Sequence, residues 1–226
     1  MELKVLSSGS SGNCYILQNE SEALIIEAGL PFFEVKKALN FNVLKIVGVV
    51  ASHSHGDHAQ YIKEYEKAGI AVYKPYEEKD WAHVRKFGNF SIRPFELVHD
   101  VPCFGFYVSH SEMGNLIYVS DTEYVKYRFK NINHMLVEVN YSDDLLDIHA
   151  ENREHVIRGH MSLKTALEFI STNDNPALRN VVLIHISDKN GNPVEFQRKV
   201  QNVLKHGAEA HAASKGLEIN LSLLPF

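Results

Sequence analysis

Apolar residues fall along this chain in short runs rather than in long helical stripes. Leu3–Leu6, Cys14–Leu17 and Ala23–Ala28 follow one another closely. Each is too short for an ordinary helix and is bounded by polar or glycine residues, which predicts strands. Ser7-Ser8-Gly9-Ser10-Ser11-Gly12 separates the first two, and that position makes it a native tight loop rather than a linker. Ile46–Ala51 is an uninterrupted, largely β-branched run, the pattern of a buried strand. Phe90–Leu97, Gly105–Val108, Leu116–Val119, Met135–Val139 and Val181–Ile186 repeat the signal, Ala71–Tyr73 more briefly, and Glu218–Leu224 alternates like an edge strand. Helical spacing predicts helices over Phe32–Leu39 behind Pro31, Ala59–Lys67 before Gly69, all or part of Asp144–Asn152, Ser162–Ser171 with Ser162 as N-cap, and Pro193–His206. Strands dominate, helices are interspersed, and no linker or repeat divides the chain, so the pattern predicts one domain over residues 1–226.

Composition narrows this picture. A hydrophobic share of 45% supports a substantial core. The net charge of −5 excludes a globally basic surface, so a nucleic-acid substrate requires a local cationic site, which bound metal can supply. Cys14 and Cys103 are too few for a disulfide framework. With no signal-peptide pattern at Met1-Glu2-Leu3-Lys4, they predict reduced thiols and a cytoplasmic protein. No run approaches the roughly 18 apolar residues of a membrane span, so no membrane partner is expected.

The compositional oddity is histidine. His53-Ser54-His55-Gly56-Asp57-His58 directly follows the buried-strand pattern and precedes a helical one, where α/β sites form. On an extended segment His53 and His55 point to the same side and can hold one ion. Gly56 permits a sharp turn, after which Asp57 and His58 can face a second. Three imidazoles and a carboxylate suit Zn²⁺, Mn²⁺ or Fe rather than Ca²⁺; a polar surface loop with chance histidines is the alternative. Two ions need more ligands than one loop supplies. His99 (before Asp100), Asp121 (in Val119-Ser120-Asp121-Thr122) and His185 each stand just after an apolar run. A buried polar group without a partner is costly. A metal is one such partner; an ordinary hydrogen bond in the core or a loop is the other.

These residues, in this order, resemble the metallo-β-lactamase superfamily over essentially the whole chain. The resemblance implies an α/β fold, a four-layer αββα sandwich with two divalent ions at one edge between the sheets. It implies that His53, His55 and His99 hold one ion, that Asp57, His58 and His185 hold the other, and that Asp121 bridges them. Several segments narrow the likeness to the YycJ/WalJ type: the Leu6–Cys14 opening, His99-Asp100 followed by Gly105-Phe106, Ser120-Asp121-Thr122, Leu136–Asn140, Gly159-His160-Met161-Ser162, and His185-Ile186-Ser187 with Asn190. The Gly-His-Met-Ser helix start and the strand ending in His185 are similar to those of tRNase Z-related phosphodiesterases. That branch is described as acting on nucleic acids or other phosphodiesters, and the YycJ type is regarded as a 5′→3′ DNA exonuclease. The superfamily usually has Asp where this chain has Glu27, a residue that supports the metal loops rather than ligating. Asp121 and His185 are 185 − 121 = 64 positions apart, too few for the extra domain of RNase J-like nucleases. No Gly/Lys-rich arm of the tRNase Z kind is present either, so long structured RNA is a less expected substrate.

The expected activity is therefore a dinuclear-metal-dependent phosphodiesterase, exonuclease-like on DNA and using a metal-bridging hydroxide. Two ions about 3.5–4 Å apart can share that hydroxide, polarise a phosphoryl oxygen and stabilise the leaving oxygen; Asp57 is expected to orient it. By likeness to its tRNase Z counterpart His160 is the expected general acid, with Glu138 fixing and charging the imidazole. A capping or packing role stays open for His160, and a structural one for Glu138. Ser8 and Ser10, in a loop whose N–H groups can meet a phosphate, are candidate substrate contacts together with Asn140 and Asn190. Plain turns stay open for Ser8–Asn13 and Asp188–Asn192. Tyr124, Lys126, Tyr127, Arg128, Phe129 and Lys130 interleave aromatic and basic side chains just past Asp121; they can hold bases and phosphates or form a solvated face. Cys103, four residues past His99, reads as a small buried hydrophobe that can approach the metals. His83, His110, His134, His149, His155, His206 and His211 lack metal-ligand spacing and receive no role. The expected partner is a phosphodiester, either a nucleic-acid end or a small or cyclic nucleotide, and a homodimer is left open. Alternative activities are a phosphodiesterase for small or cyclic nucleotides, a thioester or lactone hydrolase, and an inactive metal-binding interaction module.

Overall fold

The computed structural model describes residues 1–147, 149 and 153–224. In chain order its elements are β1 (Glu2–Ser7), β2 (Cys14–Gln18), β3 (Ala23–Ile26), α1 (Phe32–Ala38), β4 (Ile46–Val50), α2 (Gly56–Ala59), α3 (Ile62–Lys67), β5 (Val72–Tyr73), β6 (Arg85–Phe87), β7 (Phe90–Leu97) and β8 (Cys103–His110). They continue as β9 (Gly114–Val119), β10 (His134–Glu138), α4 (Arg153–Gly159), α5 (Leu163–Asn173), β11 (Asn180–Ile184), α6 (Pro193–Val203), β12 (Glu209–Ala212) and β13 (Glu218–Asn220). One sheet runs β13-β1-β2-β3-β4-β5 and the other β12-β11-β10-β9-β8-β7-β6.

The central core is the space between the two sheets. Leu3, Val5, Tyr15, Leu17, Leu24, Ile26 and Val50 meet Phe90, Ile92, Phe106, Val108, Tyr118, Leu136 and Ile184 there. The alternate residues of the same strands face outward and are covered in turn. Ile16, Ile25 and Val49 pack against Phe32 and Val35 of α1 and Ile62 and Tyr65 of α3. Ile117, Met135, Val137 and Val181 pack against α5 and α6 through Leu163, Phe169, Phe196 and Val200. Strands buried on both faces read as continuous apolar runs, and for that reason β3, β10 and β11 carry no polar alternation. Each such side chain contributes about 1.5–3 kcal/mol by leaving water. The result is the four-layer αββα sandwich that the resemblance implies. Among the described residues, no helix is long and apolar enough to cross a membrane.

The predicted end signals for the long helices hold. Ser162 Oγ accepts the Thr165 N–H at the start of α5, and Pro193 opens α6 behind Asn192, whose side chain accepts the Glu195 N–H. The helix predicted over 59–67 is instead two pieces. In a continuous helix the Tyr61 N–H would bond to the Asp57 carbonyl. It goes to the Ala28 carbonyl (3.0 Å), because the Asp57 carbonyl is taken by the Asn13 N–H at 2.7 Å. The break moves the helix start back to Gly56, so Asp57 and His58 sit on a helical turn. Part of the helix predicted over Asp144–Asn152 falls on residues 148 and 150–152, outside the described residues. Over 143–145 the chain forms a turn, the Ser142 carbonyl accepting from Leu145 and Leu146. The short strands β6 and β12 escape the pattern, because neither carries an apolar run.

β3, β4 and β5 run parallel in one sheet, and β9, β10 and β11 in the other. Parallel strands bring their C-terminal ends to one edge, which gathers the residues after β4, β9, β10 and β11 in one place.

Candidate metal centre

Each candidate ligand lies just beyond an element that fixes it. His53 and His55 occupy the bend after β4, His55 being the N-cap position of α2, and Asp57 and His58 follow on α2 itself. His99 follows β7, Asp121 β9 and His185 β11; Glu138 is the last residue of β10 and His160 follows α4. Glu27, Asp121 and His185 have φ of 67°, 50° and 52°, a left-handed conformation that non-glycine residues adopt at a cost of about 1–3 kcal/mol. It persists because neighbours over-determine it. The His185 N–H donates to Ser8 Oγ (2.8 Å), and the His185 carbonyl accepts from Asn140 Nδ2 (2.9 Å). Turning out of the strand at these points aims the side chains across the sheet edge. Gly29 lets the chain pass directly beneath α2, where a Cβ would overlap the Asp57 carbonyl oxygen.

Two ligand groups result. The imidazoles of His53, His55 and His99 form a triangle with ring centroids 4.7, 5.0 and 5.0 Å apart. Beside it stand Asp57, His58, Asp121 and His185, and within each group the candidate ligand atoms lie within 4.8 Å of one another. Asp57 Oδ2 is 3.2 Å from both His58 Nε2 and His185 Nε2. Asp121 lies between the groups, Oδ2 being 3.7 Å from His53 Nε2 and Oδ1 3.1 Å from His185 Nδ1. This placement is compatible with a dinuclear divalent-metal centre.

A direct test of that fit is whether buried polar atoms are left wanting a cation. His53 Nε2, His58 Nδ1 and His99 Nδ1 are buried with no hydrogen-bond partner, and the buried Asp121 carboxylate meets only ring nitrogens, most closely those of His58, His160 and His185. Such a cluster at one edge would be a heavy unrecovered cost in an ordinary core. His53 Nδ1, by contrast, is engaged by Ser52 Oγ at 2.8 Å, which fixes the ring and turns Nε2 inward. Imidazole and carboxylate donors of this kind suit Zn²⁺, Mn²⁺ or Fe.

Glu27 is fully buried beneath the loop. Its carboxylate accepts the Ser52 N–H (3.2 Å) and stands 3.4 Å from His58 Nδ1, so the longer side chain still reaches the loop it was expected to support. Asn13, also fully buried, places Nδ2 3.0 Å from His58 Nε2 and 3.3 Å from Asp57 Oδ2, while its Oδ1 accepts the Gly9 N–H. Cys103 is buried with Sγ 3.7 Å from His53 Nδ1, packed beneath the first group.

The electrostatics follow from this crowding. Burial disfavours charge on every ring, and the charge on His58 adds to it at His53, so His53 titrates far below the ordinary histidine value. His99 is also lowered, chiefly by burial. At His58 burial is outweighed by Asp121 and Glu27, and the ring is raised well above its ordinary value. His185 is raised to about 9 against burial, first by Asp121 and then by Asp57 and Glu138. His160 is raised to about 10 against burial, first by Glu138 and then by Asp121. The carboxylates move the other way. Burial pushes Asp121 up, but the charges of His185 and His58 hold it well below the usual range; at Glu138 burial is likewise outweighed, and the charge of His160 lowers it. Carboxylate charge is thus balanced by imidazole protons, and metal ions would displace those of the candidate ligands His58 and His185.

A cleft of about 190 Å³ opens onto this edge, lined by His55, Asp57, His99, Asp121, His160 and His185 with Ser10 and His155. Of the expected substrate contacts, Ser10 reaches the cleft. Ser8 Oγ is engaged by the Tyr15 hydroxyl and the His185 N–H, and the Asn140 amide is spent on the His185 carbonyl. Asn190 sits in the turn after β11, its N–H on Ser187 Oγ and its carbonyl accepting from Ser142. Sequence reasoning missed His155, Asn13 and Ser52. His155 lacks metal-ligand spacing, and only the pitch of α4 carries it toward His160, with ring centroids 6.3 Å apart. Asn13 and Ser52 had a readable signal: a polar residue flanking an apolar strand beside a histidine loop.

A model described as the metallo-beta-lactamase superfamily matches residues 8–119. The chain is similar to exodeoxyribonuclease YycJ of Bacillus anthracis, 25% identical over an alignment of 174 residues, with a coverage of 65% for this chain and 65% for that one. It is also similar to exodeoxyribonuclease WalJ of Streptococcus pneumoniae, 23% identical over 221 residues, covering 82% of this chain and 81% of that one. It thus spans about two thirds (65%) of the YycJ relative's length. Among solved structures, the metallo-beta-lactamase fold protein YhfI from Bacillus subtilis superposes with a TM-score of 0.76 at 17% identity, over 97% of this chain and 99% of that one.

Proposed function

We propose that this chain is a member of the metallo-β-lactamase superfamily and, within it, a dinuclear-metal-dependent phosphodiesterase acting on DNA ends. His53, His55 and His99 would hold one ion and Asp57, His58 and His185 the other, with Asp121 placed between the two groups. Bound there, the ions supply Lewis-acid polarisation of the phosphodiester and a nucleophile at neutral pH. Zn²⁺ and Mn²⁺ both suit these donors, as does Fe. Asp57 orients the attacking water, and Ser10 lies on the cleft wall where substrate enters.

The observation that carries the phosphodiester reading is His160 on the cleft wall with Nδ1 2.7 Å from Glu138 Oε1. Glu138 holds one ring nitrogen and keeps the imidazole protonated, so the ring can give a proton to a departing oxygen. A sugar alkoxide is a poor leaving group and needs that proton; a thiolate does not. The pair is therefore matched to phosphodiesters better than to thioesters. The exodeoxyribonuclease names of the two relatives favour a DNA end, and the 190 Å³ volume of the cleft favours, as a second reading, a small or cyclic nucleotide. Cys14 and Cys103, both buried and unpaired, suit a reducing compartment such as the cytoplasm.

The test is substrate profiling of the purified protein with Mn²⁺ or Zn²⁺. The panel holds bis-p-nitrophenyl phosphate, single- and double-stranded DNA, RNA, cyclic mononucleotides, a thioester and a lactone. Hydrolysis of the diesters with DNA preferred supports the proposal. Turnover of the thioester or lactone alone contradicts it.

A further inference from the structure

We propose that the outer face of the second sheet carries a groove for single-stranded polynucleotide, in which bases stack on Tyr107, Tyr127 and Phe129 and phosphates meet Arg93 and Arg128. The proposal rests on the nucleic-acid reading above and adds a binding surface outside the metal centre.

The groove has a volume of about 460 Å³ and lies where the segment after Asp121 crosses β7 and β8. Its floor is Phe95, buried, with Phe129 against it at 4.8 Å between ring centroids and Tyr127 at 5.7 Å. Tyr107 and Phe129 lie nearly parallel, 24° apart with centroids separated by 6.3 Å. Tyr107, Tyr127 and Phe129 are half-buried, so the aromatic slot is open to solvent rather than sealed as core. An open row of rings is a platform for the π-faces of unpaired bases.

Charge complementarity identifies the occupant. Arg93 and Arg128 line the groove and are exposed, and among the described residues neither has a carboxylate within ion-pair distance. Many other cations of the chain are neutralised: Lys4, Lys74, Arg85 and Lys199 each bond a glutamate. Two unpaired guanidinium groups flanking open rings, in a chain of net charge −5, select an anion that carries π-faces. A DNA or RNA strand with exposed bases has both properties; in a duplex the bases are stacked on one another. The groove also shares chain with the metal centre. β7 ends two residues past Phe95, His99 follows two residues later, and Tyr127 is six residues past Asp121. A strand lying on these rings can present its end at the cleft.

The experiment measures binding to the full chain in EDTA, so that affinity is read without hydrolysis. Labelled dT12, rU12 and a 12-base-pair duplex are titrated by fluorescence anisotropy at several salt concentrations. Wild-type protein is expected to bind a single strand more tightly than the duplex, and the dT12 and rU12 arms identify the preferred sugar. The double variant Arg93→Gln/Arg128→Gln is expected to weaken single-strand binding about tenfold and to reduce the slope of log affinity against log salt by about 1.4. Tyr127→Ala is expected to weaken it about tenfold with little change in slope. Lys36→Gln/Lys37→Gln on α1 removes the same charge far from the groove and should leave affinity within about twofold of wild type. Loss of affinity equal to that of the α1 pair, or no measurable single-strand binding by wild type, overturns the groove. So does a protein dimer that the arginine variant dissolves without dT12 binding, which would make this face a self-association surface. Bis-p-nitrophenyl phosphate reads the metal centre separately. Its hydrolysis without dT12 binding sinks the groove alone, and dT12 binding without any diester hydrolysis sinks the phosphodiesterase reading alone.

Discussion

Glu138 Oε1 lies 2.7 Å from His160 Nδ1, and the other oxygen of the same carboxylate accepts the N–H groups of Thr122 and Met161. One fully buried carboxylate therefore ties the loop after Asp121 to the start of α5 and charges the imidazole on the cleft wall. With Nδ1 committed to Glu138, the opposite ring nitrogen is left to act on substrate.

His160→Ala is expected to lower kcat on DNA about 10²–10⁴-fold, the ordinary range for loss of a general acid. On bis-p-nitrophenyl phosphate, whose leaving group needs little protonation, the loss should be much smaller. Steady-state kinetics on both substrates checks this, and full activity on DNA would remove His160 from the mechanism.

Glu138→Gln keeps the shape and removes the charge. The carboxylate raises His160, so its loss lets the imidazole give up its proton at lower pH. The alkaline limb of the kcat profile should move toward neutral pH by more than one unit. An unmoved limb would mean that Glu138 is only a strut between the loop and α5.

Glu27→Ala removes the group that holds the Ser52 N–H and faces His58 Nδ1. Such outer contacts orient ligands, and the variant should bind metal about 10–100-fold more weakly. Competition against a chromophoric chelator reads this directly. Glu27→Asp should retain more affinity than Glu27→Ala, which separates loss of the carboxylate from loss of reach.

A pH effect on stability comes from a histidine remote from the metals. His134 is fully buried and donates from Nε2 to the carbonyls of Met113 and Leu221, while Nδ1 accepts from Asn180 Nδ2, which fixes it as neutral. Burial lowers it to about 4 against an ordinary 6.5. The unfolded chain thus takes up this proton first as pH falls. The stabilisation is complete above pH 6.5 and is lost toward pH 4, amounting to up to about 3 kcal/mol. Urea melts across that window should fall more steeply for wild type than for His134→Gln. Equal slopes would contradict this account.

Much of the architecture was legible because buried parallel strands leave uninterrupted apolar runs, and the candidate ligands stand where those runs stop. His99, Asp121 and His185 each stand just past the end of a strand. Ser162 and Pro193 marked their helices by capping chemistry. What was not legible depends on contacts distant in sequence. The break after Ala59 exists because Asn13 takes the Asp57 carbonyl. The bonds of Ser8 Oγ and Asn140 Nδ2 to the His185 backbone likewise join residues far apart in sequence. His155 reaches the cleft through the pitch of α4, with no spacing rule to announce it. The left-handed turns at Glu27, Asp121 and His185 carry no local signal either, since glycine or asparagine would be the ordinary choice there.

The central claim is that two ions are held by two ligand groups with Asp121 between them. Anomalous diffraction from crystals loaded with Zn²⁺ or Mn²⁺ tests it most directly. The account predicts two peaks about 3.5–4 Å apart, one within reach of His53, His55 and His99 and the other of Asp57, His58 and His185, both adjoining the Asp121 carboxylate. A single peak, or peaks away from Asp121, would contradict it.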